Sequence, residues 1–204
     1  MGNGKRPLAA LIDVNGPIIN TQELKRYYAY KNLGLSLQPH QCRSSYVHEH
    51  HPEYAEDYRT LSHTLFQQQG LLDLVRERPR EFITPYALES IKHIRSTKVI
   101  PLAFTSRTEE DAAVITEILS LSKKIAIPLM EQSEIPIITA NHKDKGQVIE
   151  DKNLKNVYRI FGAVDDEQKK LDTLDVPYKW LFRAWHPRRE PSLAVQIILA
   201  AQKY

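Results

Sequence analysis

The sequence predicts an α/β fold of three layers, α/β/α, with helices on both faces of a parallel central sheet. From residue 86 onwards, short apolar runs alternate with helical patterns, which is typical of parallel strands joined by helices. Another apolar run, at residues 8–12, is followed directly by a carboxylate. Ligands of such folds bind at the carboxyl ends of the strands, so we expect the functional residues there.

Composition narrows the function classes. The 204 residues suit one domain, or a domain with an insertion. A net charge of +3 is too small to indicate a nucleic-acid partner. The single cysteine, Cys42, excludes an internal disulfide framework and favours a reducing compartment such as the cytoplasm. No apolar stretch approaches the ~20 residues of a transmembrane segment, and the first six residues lack the apolar core of a signal peptide.

The first strand is predicted at residues 8–12 and is followed by Asp13-Val14-Asn15-Gly16. Five consecutive apolar residues indicate a strand buried on both faces. A carboxylate at its end, before a tight turn, fits a nucleophile that accepts a phosphoryl group and also binds a cation. The alternative is an ordinary turn, because Asn-Gly is common in turns.

A helical insertion is predicted after this strand. Residues 21–33 have a helical pattern, with Thr21 as N-cap and Gly34 just past the end. Apolar residues at helical spacing continue to about residue 75. We therefore assign residues 17–84 to the insertion, and residues 1–16 with 85–204 to the core domain.

The remaining elements alternate in order. Pro101 lies inside one predicted strand and is tolerable only near the beginning of that strand. The predicted strands are 99–104, 135–139, 157–164 and 178–184, and the predicted helices are 86–95, 109–121, 145–151, 167–174 and 191–202.

Polar groups follow each of the first four strands: Asp13 with Asn15, then residues 105–108, 142–146 and 165–167. This set resembles the four motifs of the haloacid dehalogenase superfamily and spans nearly the whole chain. Residues 104–110 and 161–167 are most similar to the magnesium-dependent phosphatase branch, whose members include protein tyrosine phosphatases. The resemblance implies a Rossmannoid core with a helical cap that closes over the site and excludes water.

The resemblance also implies roles for the acidic residues. Asp13 would attack phosphorus in line and become an aspartyl phosphate, which splits one difficult displacement into two easier ones. Mg²⁺ prefers hard oxygen ligands and would be held by Asp13, the main-chain carbonyl of Asn15 and Asp166. Asp165 would lie behind these ligands, although adjacent acids leave the register open by one residue.

Two more residues complete the implied site. Ser106 would donate a hydrogen bond to a phosphoryl oxygen, and Lys145 would offset charge on both nucleophile and phosphate. Lys143 is the alternative to Lys145. Considered singly, either lysine is more typical of a solvated loop.

Asn15 departs from the superfamily pattern. Most phosphatases of the superfamily have a second Asp at this position, which protonates the leaving oxygen and later activates water. An amide cannot exchange a proton at neutral pH, and such acid–base catalysis contributes ~10²- to 10⁴-fold in rate. A phenolate, with a pKa near ~10, needs less help to leave than an alkoxide. An aryl phosphate, such as a phosphotyrosine protein, is therefore the expected substrate. Lys170 is a second departure, because the fourth motif often has another acid there.

The same residues are compatible with other functions. The scaffold also fits a sugar or nucleotide phosphatase, a phosphotransferase, a dehalogenase, or a phosphoprotein-binding module with weak turnover. The adjacent acids Asp165 and Asp166 argue against a dehalogenase, which needs no metal. Asn15 is the main support for a binding module. Asp13, Lys145 and Asp166 argue against it.

Aromatic and histidine side chains of the insertion have two interpretations each. Six of the ten tyrosines fit either an aromatic substrate or helix packing: Tyr27, Tyr28, Tyr30, Tyr46, Tyr54 and Tyr58. Several residues of types that bind zinc also lie close together in the insertion: His40, Cys42, His48, His50 and His51. No second ligand pair at zinc-finger spacing follows, and histidines on such a polar segment are more typical of a solvated surface. His48 and His50 are also candidate proton donors in place of Asn15.

Overall fold

A computed structural model of the protein describes residues 6–84, 91, 94, 96–121, 137–182 and 193–204. Within these ranges, parallel strands form one sheet of order β3-β2-β1-β4-β5. The strands are β1 Leu8–Asp13, β2 Ile100–Thr105, β3 Ile137–Thr139, β4 Arg159–Asp165 and β5 Tyr178–Leu181. The predicted α/β fold with a parallel central sheet is confirmed.

β1 is the central strand, and its register explains why the polar segments meet. Asp13 pairs with Phe104 of β2, and Ile12 pairs with Val164 of β4. The three strands therefore end at the same edge of the sheet, and the residues that follow them converge there. Pro101 is accommodated because β3 pairs only with Ala103–Thr105 of β2.

Helices fill the segment between β1 and β2 and recur after β2. The first group is α1 Thr21–Leu33, α2 Ser44–His50, α3 Ala55–His63, α4 Leu71–Glu77 and α5 Pro79–Phe82, with short 3-10 helices at Pro39–Gln41, Pro52–Tyr54 and Leu65–Gln67. The second is α6 Glu109–Leu121, α7 Lys145–Asp151, α8 Leu154–Val157, α9 Gln168–Asp172 and α10 Leu193–Lys203. The helix predicted at 86–95 lies mostly outside the described residues. None of the described helices is long and apolar enough to cross a membrane.

Two local predictions were wrong. Asn20, not Thr21, is the N-cap of α1, because the Asn20 side-chain oxygen accepts a hydrogen bond from the Glu23 amide at 3.4 Å. The strand predicted at 157–164 starts at Arg159, because the residues just before it form α8. Gly34 ends α1 with φ of 68°, as predicted.

Apolar side chains cover both faces of β1, as expected for a central parallel strand. Ala10 and Ile12 belong to one buried cluster, and Ala9 and Leu11 belong to the other. The first cluster also contains Tyr58 and other side chains of the 17–84 segment. That segment therefore shares a continuous core with one face of the sheet.

Candidate active site

Three buried carboxylates meet where the central strands end. Asp13 and Asp165 are the last residues of β1 and β4, and each is 1% exposed, while Asp166 is 5% exposed. One oxygen from each carboxylate lies within 4.8 Å of the others, a spacing that could hold a metal ion. The structure brings these predicted residues together because strand register and strand length place their Cα atoms at one edge.

Lys145 supplies a positive charge to this cluster. Its Nζ donates hydrogen bonds of 2.7 Å to Asp13 Oδ1 and to Asp165 Oδ2. Lys145 is the first residue of α7, whose start is fixed by Asp144, since the Asp144 side chain accepts from two amides of the first turn. Lys143 lies elsewhere: it is exposed, and its Nζ is 3.8 Å from Asp151.

The cluster carries more negative charge than its lysine balances. Burial raises the pKa of Asp13 to about 6, although Lys145 acts to lower it, and Asp165 adds to the rise. Burial, reinforced by Asp13 and Asp165, raises the pKa of Asp166 to about 8. Burial acts to lower the pKa of Lys145, but Asp13 and Asp165 raise it overall. Asp13 Oδ2 is buried and has no hydrogen-bond partner within the described ranges. Hard oxygen donors with excess negative charge fit a divalent cation.

Gly16 makes room for one of these carboxylates. Its φ is +107°, a conformation that favours glycine. A Cβ at this position would lie 2.5 Å from Asp166 Cγ and Oδ2. The turn after β1 therefore requires glycine both for its backbone and for the position of Asp166.

Asn15 contacts the end of the neighbouring strand. Its Nδ2 donates to Thr105 Oγ1 at 2.7 Å, and the same hydroxyl oxygen accepts from the Arg107 amide at 3.2 Å. Sequence reasoning singled out Ser106 and gave Thr105 no role, although Thr105 ends β2 and is fully buried. Ser106 itself is partly exposed and lines a cleft beside Asn15.

This cleft, of about 220 Å³, runs from the carboxylates towards the 17–84 segment. Its lining side chains are all polar: Asn15, Thr21, Gln22, Lys25, Ser62, His63, Ser106, Arg107, His142, Asp166, Glu167 and Lys170. None of the six tyrosines of the segment lines it. Tyr28 and Tyr58 are buried in the core and Tyr30 is exposed, so packing and surface account for these tyrosines.

Solved structures, rather than sequences, reveal what the chain is similar to. No protein-family model and no curated protein sequence matches it. One similar solved structure is that of a protein from Burkholderia xenovorans LB400 that is described as a haloacid dehalogenase-like hydrolase. The two sequences are 11% identical, the alignment covers 97% of this chain and 98% of the other, and the TM-score is 0.54. A protein described as a beta-phosphoglucomutase, from Thermotoga maritima, is 14% identical, with coverage of 94% and 91% and a TM-score of 0.52.

The chain has the haloacid dehalogenase-like fold. Arg107 joins the core to the helical segment in this fold. Its guanidinium donates to the main-chain oxygens of Ser62 and His63, each at 2.8 Å, and stacks over Phe66 at 5.3 Å. Across the cleft, the His63 and His142 rings lie 6.1 Å apart. The 17–84 segment is thus held in contact with the loop after β2 that contributes to the candidate site.

Lys170 lies beside the aspartates, whereas the histidines considered for zinc do not line the cleft. Lys170 Nζ lies 2.9 Å from Glu167 at the edge of the cleft. His50 stacks on Tyr46 with ring centres 4.1 Å apart. In the part of the chain that the structure describes, the three aspartates form the only group with metal-ligand spacing. The zinc interpretation of the histidines and Cys42 therefore has no support there.

Proposed function

We propose that this chain is a phosphomonoesterase that depends on Mg²⁺ and acts through an aspartyl phosphate on Asp13. One observation carries the proposal: a buried carboxylate at the end of the central strand is hydrogen bonded to Lys145 through one oxygen, while its other oxygen has no partner among the described residues. A nucleophile needs such an oriented carboxylate with one oxygen left to react.

The proposed reaction has two steps. Asp13 Oδ2 attacks phosphorus in line, so that a bond forms between aspartate and phosphorus as the ester bond to the leaving oxygen breaks. Water then attacks the aspartyl phosphate, which releases inorganic phosphate and restores Asp13. Lys145 holds the Asp13 carboxylate in position and offsets charge, and Ser106, at the cleft, donates to a phosphoryl oxygen.

The metal would be held by Asp13, the main-chain carbonyl of Asn15 and Asp166. Asp165 is the poorer candidate for direct contact, because its two oxygens already accept from Lys145 and from the Glu167 amide. When bound, Mg²⁺ offsets negative charge on the phosphoryl oxygens.

Two classes of phosphate ester are candidate substrates. Asn15, an amide where an acid would assist departure, supports an aryl phosphate such as a phosphotyrosine protein. The cleft supports the second candidate, a small polar metabolite phosphate, because it is small and no aromatic side chain other than histidine lines it. The single cysteine supports a reducing compartment such as the cytoplasm.

The first test is hydrolysis of p-nitrophenyl phosphate with and without Mg²⁺. Asp13→Asn should abolish turnover with an unchanged circular dichroism spectrum, and chelation should stop turnover reversibly. Asp57→Asn, an exposed aspartate on α3, is the matched control and should retain activity. Retained turnover in Asp13→Asn would overturn the mechanism.

The metal ligands are tested by the Mg²⁺ concentration that gives half-maximal rate. Asp166→Asn should raise this concentration more than Asp165→Asn, because Asp166 faces the cleft whereas Asp165 binds Lys145. The opposite order would exchange the two roles.

A further inference from the structure

One side of the cleft presents polar groups that the proposed chemistry does not use. Gln22 is only 7% exposed, lines the cleft, and its Oε1 has no hydrogen-bond partner in the described part of the chain. Ser62 Oγ is likewise buried at the cleft without a partner there. Buried polar atoms are normally hydrogen bonded, so each such group indicates an unfilled contact.

Lys25 adds a positive charge on the same side. It lies one helical turn from Gln22 in α1, so both side chains face the cleft. Within the described ranges no hydrogen bond or ion pair involves Lys25, whereas Lys145 and Lys170 are both paired with carboxylates. Burial, together with nearby Arg107, lowers the Lys25 pKa. Lys25 is partly buried, and a partly desolvated cation without a hydrogen-bonded anion is stabilised when an anion binds beside it.

Lys25 lines the side of the cleft formed by the 17–84 segment, whereas Ser106 and Asp166 line the side formed by the strand ends. Gln22 shares α1 with Lys25, and Ser62 lies in α3, so all three lining residues belong to the helical segment. Arg107 adds positive charge beside Lys25, although its donors are directed to the carbonyls of Ser62 and His63. The cleft thus has one side formed by strand ends, with Asp166, and another formed by α1 and α3, with Lys25.

We propose that Lys25, Gln22 and Ser62 form a subsite for a second anionic group, carried with a hydroxyl on the leaving-group side of the substrate. The substrate class is then a small phosphate monoester that bears a carboxylate or a second phosphate. This inference rests on the proposed phosphomonoesterase activity and develops its second substrate candidate.

The experiment compares matched pairs of substrates. Glycerate 3-phosphate against glycerol 3-phosphate tests a carboxylate, and fructose 1,6-bisphosphate against fructose 6-phosphate tests a phosphate. Wild type should prefer the more anionic member of at least one pair by about 10- to 100-fold in kcat/KM, the size of one charge-assisted contact. The pair that shows the preference identifies the anion.

Lys25→Gln should remove this preference, mainly through KM, and Lys25→Arg should keep most of it. At saturating Mg²⁺, Lys25→Gln should reduce turnover of p-nitrophenyl phosphate, which has no second anion, much less than turnover of the preferred substrate. Lys143→Gln, an exposed lysine outside the cleft, is the control and should change nothing.

Three outcomes would overturn the subsite: no preference in wild type, a preference that survives in Lys25→Gln, or an equal loss on all substrates including p-nitrophenyl phosphate. If no substrate is hydrolysed, the proposed function fails, and calorimetry then tests the subsite separately. Binding of glycerate 3-phosphate that Lys25→Gln weakens, with unchanged binding of inorganic phosphate, would support it. Equal binding to both variants, or no binding, would contradict it.

Discussion

Lys145 is the residue on which the buried carboxylates most depend. It bridges Asp13 and Asp165 with two hydrogen bonds of 2.7 Å. Removing one member of a buried ion pair leaves uncompensated charge and costs about 3–5 kcal/mol. Lys145→Met should therefore lower the free energy of unfolding by roughly that amount in urea denaturation. Lys143→Met should have little effect, and equal stability of the two variants would contradict the assigned charge balance.

Asn15 should limit which leaving groups depart. Alkyl phosphates without a second anion should react more slowly than aryl phosphates. Asn15→Asp should reduce the ratio of the two rates by ~10²-fold, because an alkoxide needs the proton most. Steady-state rates for phosphotyrosine and phosphoserine on both variants measure the gap. Equal wild-type rates, or no effect of Asn15→Asp, would mean that another residue supplies the proton. His48 and His50 are not among the residues that line the cleft.

The turn between β1 and α1 is the element that positions Asp166. Gly16→Ala places a methyl group 2.5 Å from that carboxylate and strains a backbone with φ of +107°. Activity and Mg²⁺ affinity should both fall. Gly70→Ala is the matched control: φ is +75°, but nothing lies within 4 Å of its Cβ position. It should cost about 1–2 kcal/mol of stability through strain alone and leave activity intact. If Gly16→Ala is as active as Gly70→Ala, the turn does not set the carboxylate position.

Elements with a strong local signal were predictable, and contacts between distant elements were not. The helix at 109–121 and the positions of Asp13 and Asp165 follow from apolar patterns and from carboxylates at strand ends. The Asn15–Thr105 hydrogen bond joins residues on different strands and depends on the register of β1 with β2. Lys25 belongs to no sequence motif, and only the tertiary position of α1 brings it to the cleft.

A contact through Arg107 joins the core to the 17–84 segment. Arg107 fixes the end of α3 through two main-chain oxygens and covers Phe66. Arg107→Met should increase the rate of amide hydrogen exchange around residues 62–66 by about tenfold or more, because hydrogen bonds from a charged donor contribute about 1.5–3 kcal/mol. The exchange rates of the sheet should change little. Arg59→Met removes only an exposed ion pair of α3 and should leave exchange there unchanged. Similar exchange in both variants would contradict this contact.

The position of β1 in the sheet has a consequence for how the protein is made. β1 is synthesised first, yet Leu8 pairs with Arg159 of β4, about 150 residues later. At about 5–20 residues per second, the ribosome reaches β4 only some 8–30 s afterwards. Until then the apolar strand lacks one of its two neighbours and offers an unpaired edge. Folding should therefore be completed late in synthesis or after it, at a rate set by long-range strand pairing rather than by helix formation.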